Sequence, residues 1–292
     1  MPAVTLRLPR PIRTLGRYCL EAYWRTMAAP GQFSDWWADR RNRHNYPVLV
    51  EADLRRARKS DTVFICGTGA SILSIAPGEW QRMAQHDIFS FRDFPRQTFV
   101  KADYHVTGEI DDADIYAAAI NTNPRYDRTL FMVQEGFTAH MGNRLIGRLK
   151  LRKGAPVFRY RRRGRGQSIP FSRSFADGVV HGHGSVVGMV NIAYLLGWKR
   201  IVLVGIDLYD HRYFYMPPGE TREVEKSGLT SSDPFIAGSS IVDQIGMWAD
   251  MMRREGVQVV AYNPRSLLTS RIPIFQWSDA VSADGNSQGE ST

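Results

Sequence analysis

The sequence predicts an α/β fold built on a doubly wound, mostly parallel sheet. Apolar, β-branched segments alternate with helix-like segments from residue 61 onward, and several of the apolar segments are continuous. Continuous apolar strands that alternate with helices are typical of a parallel sheet whose two faces are covered by helices. Two of these strands also run into polar or glycine-rich turns, and open sheets of this class bind ligands at the carboxyl ends of their strands.

The predicted elements follow from this alternation. Seven strands are expected, and they are Thr62–Cys66, Asp87–Phe91, Tyr104–Thr107, Thr129–Val133, Pro156–Tyr160, Ile201–Ile206 and Val257–Tyr262. Four helices are expected between them, and they are Ser71–Ala84, Asp111–Ile120, Gly184–Leu196 and Ile241–Arg254. Gly197 closes the third helix, as a C-terminal glycine commonly does.

The chain divides into three predicted regions. Residues 1–60 form a basic N-terminal helical extension, residues 61–277 the main domain, and residues 278–292 a polar tail that we expect to be disordered. Apolar residues recur at helical spacing over residues 15–24, which predicts a helix that packs on the main domain or lies on anionic lipid. Residues 209–238 form a long insertion after the strongest strand and are interpreted as a lid.

Composition limits the class of protein. Hydrophobic residues make up 43% and charged residues 23% of the 292, which is typical of a globular chain. No run of about 18 apolar residues and no signal peptide is recognised, and two cysteines without a framework favour a reducing cytoplasm.

The formal net charge of +9 predicts attraction to polyanions. The densest basic run covers Arg159–Gly166 and is interpreted either as a solvated loop or as a contact with a membrane surface or an acidic acceptor. No recognisable nucleic-acid module surrounds the run, so a specific nucleic-acid partner is not expected.

Two glycine turns are candidate phosphate sites. Gly67, Thr68 and Gly69 follow the first strand, and we expect Ser71 to cap the helix behind them. The alternative is a purely structural tight turn, because the full dinucleotide fingerprint and the P-loop lysine are both missing.

The second glycine turn opens the helix that precedes the strongest strand. Gly182 and Gly184 flank His183 there, and His181 comes just before. Histidines beside a helix N-terminus can contact phosphate or transfer protons, and the alternative is that they only pack in the turn. Their spacing gives no metal site.

Polar side chains end the strongest strand. Asp207 and Tyr209 follow it directly, and Tyr215 lies six residues further on. Phenol groups can donate hydrogen bonds to phosphate oxygens, whereas the alternative is that a buried tyrosine anchors the lid.

Four short segments, called islands below, resemble segments of the bacterial sialyltransferases of the CST type and occur in the same order. The resemblance covers about residue 62 to residue 273. Cys66-Gly-Thr-Gly-Ala-Ser71 resembles the family's G-N-G-P-S turn, and Gly182-His-Gly184 resembles its T-S-G turn. Gly205-Ile-Asp-Leu-Tyr209 matches G-I-D-F-Y almost residue for residue, with Tyr215 at the spacing of the second family tyrosine. Asn263-Pro-Arg-Ser-Leu-Leu268 resembles the closing P-N-S-L-L.

The resemblance implies a Rossmann-like, GT-A-like variant of the fold and an inverting transferase that needs no metal or other cofactor. Its donor would be a CMP-activated nonulosonic acid and its acceptor a cell-surface glycan such as lipopolysaccharide. The glycine turns and Asp207 would bind substrate, and Tyr209 and Tyr215 would stabilise the leaving phosphate. A cytoplasmic protein is expected from its cysteines, and the basic N-terminal region and the Arg159–Arg165 run would hold it at the anionic inner face of the membrane, near its acceptor. The sequence leaves a homo-oligomer open.

The sequence departs from the family pattern at the general base. The family's histidine before the last amphipathic helix is missing, and no histidine follows His211. His183 or His211 is therefore expected to transfer the proton, with Asp243 as a weaker candidate. Arg92 stands near the position of a family asparagine and is expected to bind substrate.

Two alternatives remain on sequence grounds. A relative of the motility-accessory and pterin-pyrophosphokinase-like proteins would share the nucleotide-binding architecture but need Mg²⁺, for which Asp207 and Asp210 are available. A catalytically inactive protein that binds nucleotide or polyanion through its basic surface is the other alternative.

Overall fold

The computed structural model describes residues 31–108, 112–136, 139–163, 169–182, 184–209, 212–220 and 234–278. The predicted helix over residues 15–24, most of the predicted lid, the tail beyond residue 278, and the candidate residues His183, Asp210 and His211 lie outside these ranges.

The described residues form one nine-stranded sheet in which every pairing is parallel, which confirms the predicted doubly wound α/β class. The strands are β1 (Val48–Leu49), β2 (Thr62–Cys66), β3 (Asp87–Phe91), β4 (Tyr104–Thr107), β5 (Leu130–Glu135), β6 (Val157–Arg163), β7 (Val179–Val180), β8 (Arg200–Val204) and β9 (Gln258–Ala261). Their spatial order is β1-β6-β5-β4-β3-β2-β8-β9, and β7 also pairs with β6.

Helices cover both faces of the sheet. They are α1 (residues 31–42), α2 (Glu51–Arg56), α3 (Pro77–Met83), α4 (Ala113–Thr122), α5 (His140–Gly147), α6 (Ser185–Leu196) and α7 (Pro234–Arg253). Apolar side chains of α2, α6 and α7 pack in one core, and those of α3, α4 and α5 pack in the other. None of the helices within the described ranges combines the length and the hydropathy that crossing a bilayer requires.

Side chains of the central strands alternate between these two cores. In β2, Val63 and Ile65 belong to the core under α6 and α7, whereas Phe64 and Cys66 belong to the opposite core. The strand is therefore apolar along its whole length because both of its faces are buried.

Three predictions about elements need correction or extension. The predicted helix Ser71–Ala84 is wrong as a single element, because a 3-10 turn over Ala70–Ser74 ends before α3 begins at Pro77. Proline fixes its own backbone and disfavours a helical conformation in the residue before it, so the chain restarts there. The last helix is longer than predicted, since α7 begins at Pro234, and the sheet takes in β1 from the segment assigned to the extension.

The basic run also differs from its prediction. The interpretation as a loop is wrong for residues 159–163, which belong to β6 between β5 and β1. Arg159 is nearly buried, and its guanidinium pairs with both oxygens of the Asp39 carboxylate on α1. A buried carboxylate thus neutralises one arginine of the run.

A buried polar network lies in the core beneath α4. The His105 imidazole lies 2.8 Å from the Ser90 hydroxyl through Nδ1 and within hydrogen-bond reach of the Tyr116 hydroxyl through Nε2. Tyr126 Oη lies 3.0 Å from the Ser90 hydroxyl. Burial lowers the pKa of His105 to about 3, so the ring is neutral at neutral pH.

This shift predicts a pH-dependent loss of stability. Because the folded pKa of His105 lies below the unfolded value of about 6.5, the unfolded chain takes up the proton first as the pH falls. We expect His105 alone to lower the free energy of unfolding by about 2 kcal/mol between pH 6.5 and 4.5. Urea unfolding of the wild type and of His105→Gln at both pH values measures this, and an identical pH dependence in the two proteins would contradict it.

Candidate active site at the carboxyl edge of the sheet

The strand order reverses between β2 and β8. Successive strands run from β2 through β3, β4 and β5 to β6, after which the chain crosses back to place β8 on the other side of β2. Such a switch point leaves a crevice at the carboxyl ends of the two strands, where open α/β sheets bind their ligands. The turn after β2 and the turn after β8 lie at this edge.

The two turns are bonded directly to each other. The Gly67 amide donates to Val204 O and the Gly69 amide to Gly205 O, both at 2.8 Å. A Cβ at Gly69 would overlap the Asp207 carboxylate, and one at Gly67 would overlap Ile206. Both glycines are therefore needed for the contact between the turns, which supports the structural interpretation of the first turn.

This contact predicts the effect of a single methyl group. We expect Gly69→Ala to lower the free energy of unfolding by about 2–3 kcal/mol, because the Asp207 carboxylate or Gly205 O must move. Gly78→Ala is the matched control, since no atom lies within 4 Å of its added methyl group and it sits in α3, where alanine is favoured by up to about 1 kcal/mol. Equal stability of Gly69→Ala and the wild type would contradict the interpretation.

Asp207 joins three segments of the edge. Its carboxylate accepts hydrogen bonds from the Ser71 amide at 2.9 Å, from the Ser71 hydroxyl at 2.5 Å and from Asn263 Nδ2 at 2.8 Å. The residue is only 4% exposed. The prediction that Ser71 caps a helix is wrong, because Gly69 occupies the N-cap position and the Ser71 hydroxyl donates to Asp207 instead.

Tyr209 belongs to the same group of residues. Asn263 Nδ2 lies 3.5 Å from the Tyr209 hydroxyl, and the Arg265 guanidinium carbon lies 5.6 Å from the centre of the tyrosine ring. Leu208, just before it, has φ +63°, a left-handed conformation that is uncommon for a branched side chain. The turn therefore holds Tyr209 beside the segment that follows β9.

The segment that carries Tyr215 is bonded to the first glycine turn through the two residues before it. Tyr213 forms an antiparallel bridge with Gly69, and the Phe214 amide donates to Thr68 O at 3.0 Å. The Tyr215 ring stacks on Tyr213 with 5.5 Å between ring centres. The beginning of the predicted lid, residues 212–216, is thus fixed to the turn after β2.

Charged residues surround the Tyr215 ring. The Arg96 guanidinium lies 4.6 Å from the ring centre. Burial raises the pKa of the Tyr215 phenol, and Asp93 and Tyr213 add to this, while Arg92 and Arg96 oppose it. The phenol therefore keeps its proton at neutral pH and is available as a hydrogen-bond donor.

Arg92 follows β3 at the same edge, as its assignment to substrate binding requires. Its φ of +54° places it in the left-handed region, and its side chain is half-buried. Within the described part of the chain its guanidinium makes no hydrogen bond and no ion pair. A half-buried arginine held in an uncommon backbone conformation is a candidate for an anion, because backbone strain of this kind concentrates at functional sites.

The second glycine turn is explained by helix packing. Gly182 has φ +54°, and a Cβ there would overlap Gln244 on α7, while one at Gly184 would lie 2.7 Å from Ile241. Gly184 is the N-cap of α6, as predicted. Among the described residues, no hydrogen bond joins this turn to the turn after β2.

His181 has a structural position. It is buried, its ring stacks on Tyr160 with 6.0 Å between centres, and its Nε2 lies 3.2 Å from the Tyr160 hydroxyl. A Cβ at Gly188 would lie 2.9 Å from the imidazole, so the ring fills the space that this glycine leaves on α6. These contacts favour the alternative that His181 packs in the turn.

One further candidate base, Asp243, is placed by the structure. Asp243 lies on α7, where its exposed carboxylate pairs with Arg271 at 3.0 Å. Within the described ranges, no group of three or more histidine, cysteine, aspartate or glutamate side chains is arranged to hold a metal ion.

Sequence reasoning did not assign Asn263, Arg96 or Arg265 to the site. Asn263 and Arg265 lie in the island that resembles P-N-S-L-L, just after β9, and the parallel arrangement places that end beside the end of β8. The position after a strand end could therefore have indicated Asn263. Arg96 had no such signal, because it lies in a short turn beyond β3.

The fold and this edge define the chain as a doubly wound, Rossmann-like α/β protein with a candidate ligand site at its switch point. No protein-family model matches the sequence, and no curated protein matches it. The likeness to the CST-type sialyltransferases therefore rests on the four short islands.

Proposed function

We propose that this chain is a glycosyltransferase that transfers a nonulosonic acid from a CMP-activated donor to a cell-surface glycan, without a metal ion. The observation that carries the proposal is the attachment of both tyrosines to one turn. Tyr209 reaches the turn through Asn263 and Asp207, and Tyr215 reaches it through the pairing of Tyr213 with Gly69.

The leaving phosphate is the group that these residues suit. Protonated phenols donate hydrogen bonds to phosphate oxygens on which charge develops as the glycosidic bond breaks, and such donors act most strongly where water is excluded. Arg92 supplies a guanidinium without an ion pair in the described structure, and arginine binds phosphate with two parallel hydrogen bonds. Together they would stabilise CMP as the leaving group.

The proton of the acceptor hydroxyl needs a general base. His183 and His211 remain the proposed bases, on the strength of the sequence. Asp243 is the weaker candidate, because its carboxylate is exposed and already pairs with Arg271. A neutral imidazole near the edge would take the proton as the acceptor oxygen attacks the anomeric carbon.

The proposed acceptor is a glycan made at the cytoplasmic face of the membrane. A net charge of +9 favours approach to an anionic leaflet, since basic residues near such a surface are attracted to it. The protein would accordingly work in the cytoplasm, at the periphery of the inner face.

Titration with CMP, CDP, UDP and GDP in the presence of EDTA tests the proposal. We expect selective binding of CMP, and we expect Arg92→Gln to weaken it about tenfold to a hundredfold, as loss of a charged hydrogen-bond pair does. Arg56→Gln, on the exposed face of α2, is the matched control and should bind CMP as the wild type does.

Other outcomes of this titration count against the proposal. Binding that requires Mg²⁺ would favour the pyrophosphokinase-like alternative, although both oxygens of Asp207 already accept hydrogen bonds from Ser71 and Asn263. Binding of no nucleotide would favour a polyanion-binding protein.

A further inference from the structure

Helix α1 buries its acids instead of its aromatic residues. Asp35 is 4% exposed and Asp39 only 1% exposed, although each carries a carboxylate. Asp35 accepts from Arg144 and Arg148 of the α5 region at 3.2 and 2.9 Å. Asp39 pairs with Arg159 of β6, so the inward face of α1 is attached to the domain by ion pairs.

The outward face of the same helix is aromatic and basic. Phe33 and Trp37 are one turn apart and each is 54% exposed, and their rings stack at 13° with 6.5 Å between centres. Arg40 and Arg41 are exposed one turn further on, and the Arg40 guanidinium lies 4.3 Å from the centre of the Trp36 ring. We call Phe33, Trp37, Arg40 and Arg41 the α1 outer face.

This arrangement is the reverse of an ordinary surface helix. A helix on a globular protein normally turns its apolar stripe to the core and its charges to water. Here the buried charges require ion pairs to compensate for their desolvation, while two large aromatic side chains remain half in water. Aromatic residues exposed side by side mark a contact surface more often than single exposed apolar residues do.

The charge of the α1 outer face indicates what it contacts. The two acids of residues 31–42 both point inward, so the charged residues on the outer face are the basic Arg40 and Arg41. Residues 1–30, which precede the helix, carry five arginines and a single acid, Glu21. Tryptophan and phenylalanine beside arginine are the residues that peripheral helices insert at the boundary between headgroups and acyl chains of anionic bilayers.

We infer that the α1 outer face binds an anionic phospholipid surface, with Phe33 and Trp37 inserted at the level of the headgroups and Arg40 and Arg41 against the phosphates. The inference specifies the membrane partner of the proposed function, but it does not depend on the transfer reaction. Lipid binding and CMP binding are separate measurements, so either can fail without the other.

Co-sedimentation of the full chain with vesicles tests the inference. Vesicles of phosphatidylcholine alone are compared with vesicles that contain phosphatidylglycerol. We expect binding to the anionic vesicles that decreases with salt, and we expect Phe33→Ser/Trp37→Ser to lower the partition coefficient at least about tenfold, because two aromatic side chains no longer leave water. Ile115→Ser is the matched control, since Ile115 is equally exposed on α4.

The charged part of the face has its own variant. Arg40→Gln/Arg41→Gln should weaken binding to anionic vesicles about tenfold or more, whereas Arg56→Gln should not. Thermal unfolding of each variant confirms that it is folded, and quenching of tryptophan fluorescence by brominated lipids reports insertion independently of sedimentation.

Three results would overturn the inference. The first is no binding of the wild type to anionic vesicles. The second is equal binding by the wild type and Phe33→Ser/Trp37→Ser, which would show that Phe33 and Trp37 do not carry the binding. The third is a dimer that this double variant abolishes while vesicle binding is unchanged, which would assign the face to a second copy of the chain.

Discussion

Replacing Tyr209 and Tyr215 together by phenylalanine is expected to lower the turnover of a CMP-sugar by at least about a hundredfold, since loss of a single donor to a developing oxyanion costs that much in other enzymes. Each replacement removes one hydroxyl and keeps the ring. The stacking of Tyr215 on Tyr213 and the contact of Arg265 with the Tyr209 ring should therefore persist. The measurement is the steady-state rate of CMP release from the donor, with the affinity for CMP determined in parallel.

Tyr194→Phe is the control for this experiment. Tyr194 lies on α6, away from the switch point, and its hydroxyl donates to Glu255. We therefore expect the Tyr194→Phe variant to turn over the donor as fast as the wild type. A double variant that turns over as fast as the wild type would contradict the role of the phenols. A double variant that loses turnover only because it is unfolded would show a melting temperature well below that of the Tyr194 variant.

Asp207→Asn is expected to have the largest effect on stability at the site. The wild-type carboxylate accepts three hydrogen bonds from Ser71 and Asn263 while almost fully buried. An asparagine at this position has only one acceptor oxygen. Its NH₂ group would face one of the hydrogen-bond donors of Ser71 or Asn263 and could not accept from it. We expect a loss of about 3 kcal/mol in the free energy of unfolding and weaker CMP binding, because buried donors remain unpaired.

Urea unfolding of Asp207→Asn and of Asp250→Asn makes this comparison. Asp250 pairs with Arg253 on the exposed face of α7, and loss of a surface ion pair should change stability by less than about 1 kcal/mol. Equal stability of the two variants would show that Asp207 does not hold the segments together.

The sequence predicted the central strands well because both of their faces are buried. The predicted bounds of β2, β3 and β4 agree with the structure residue for residue. Each is a short segment rich in β-branched and aromatic residues, so local composition locates it. The helix α5 was not predicted, because Gly142 and Gly147 weaken its helical pattern. In the structure these glycines allow close packing, since a Cβ at either position would overlap neighbouring backbone.

The continuation of β6 from the predicted end at Tyr160 to Arg163 shows what local reasoning could not supply. A run of arginines indicates a solvated segment when it is considered alone. Inside the structure Arg159 pairs with Asp39, which is 120 residues away, and the strand pairs with β5 and β1. Long-range ion pairs of this kind leave no local signal.

Part of the candidate site could be predicted from the parallel arrangement of the strands. Parallel strands bring their carboxyl ends to one edge, so the sequence could place Gly67, Arg92 and Tyr209 together. It could not show that the glycines permit contact between two turns, nor that Asp207 is committed to Ser71 and Asn263. Those facts depend on distances between segments far apart in the chain.

A crystal structure of the protein with CMP bound, grown or soaked in the presence of EDTA, tests the central claim most directly. The account predicts the phosphate at the carboxyl edge of β2 and β8, within hydrogen-bond distance of the Tyr209 and Tyr215 hydroxyls and of the Arg92 guanidinium. CMP bound elsewhere on the molecule, or no CMP at saturating concentration, would contradict it.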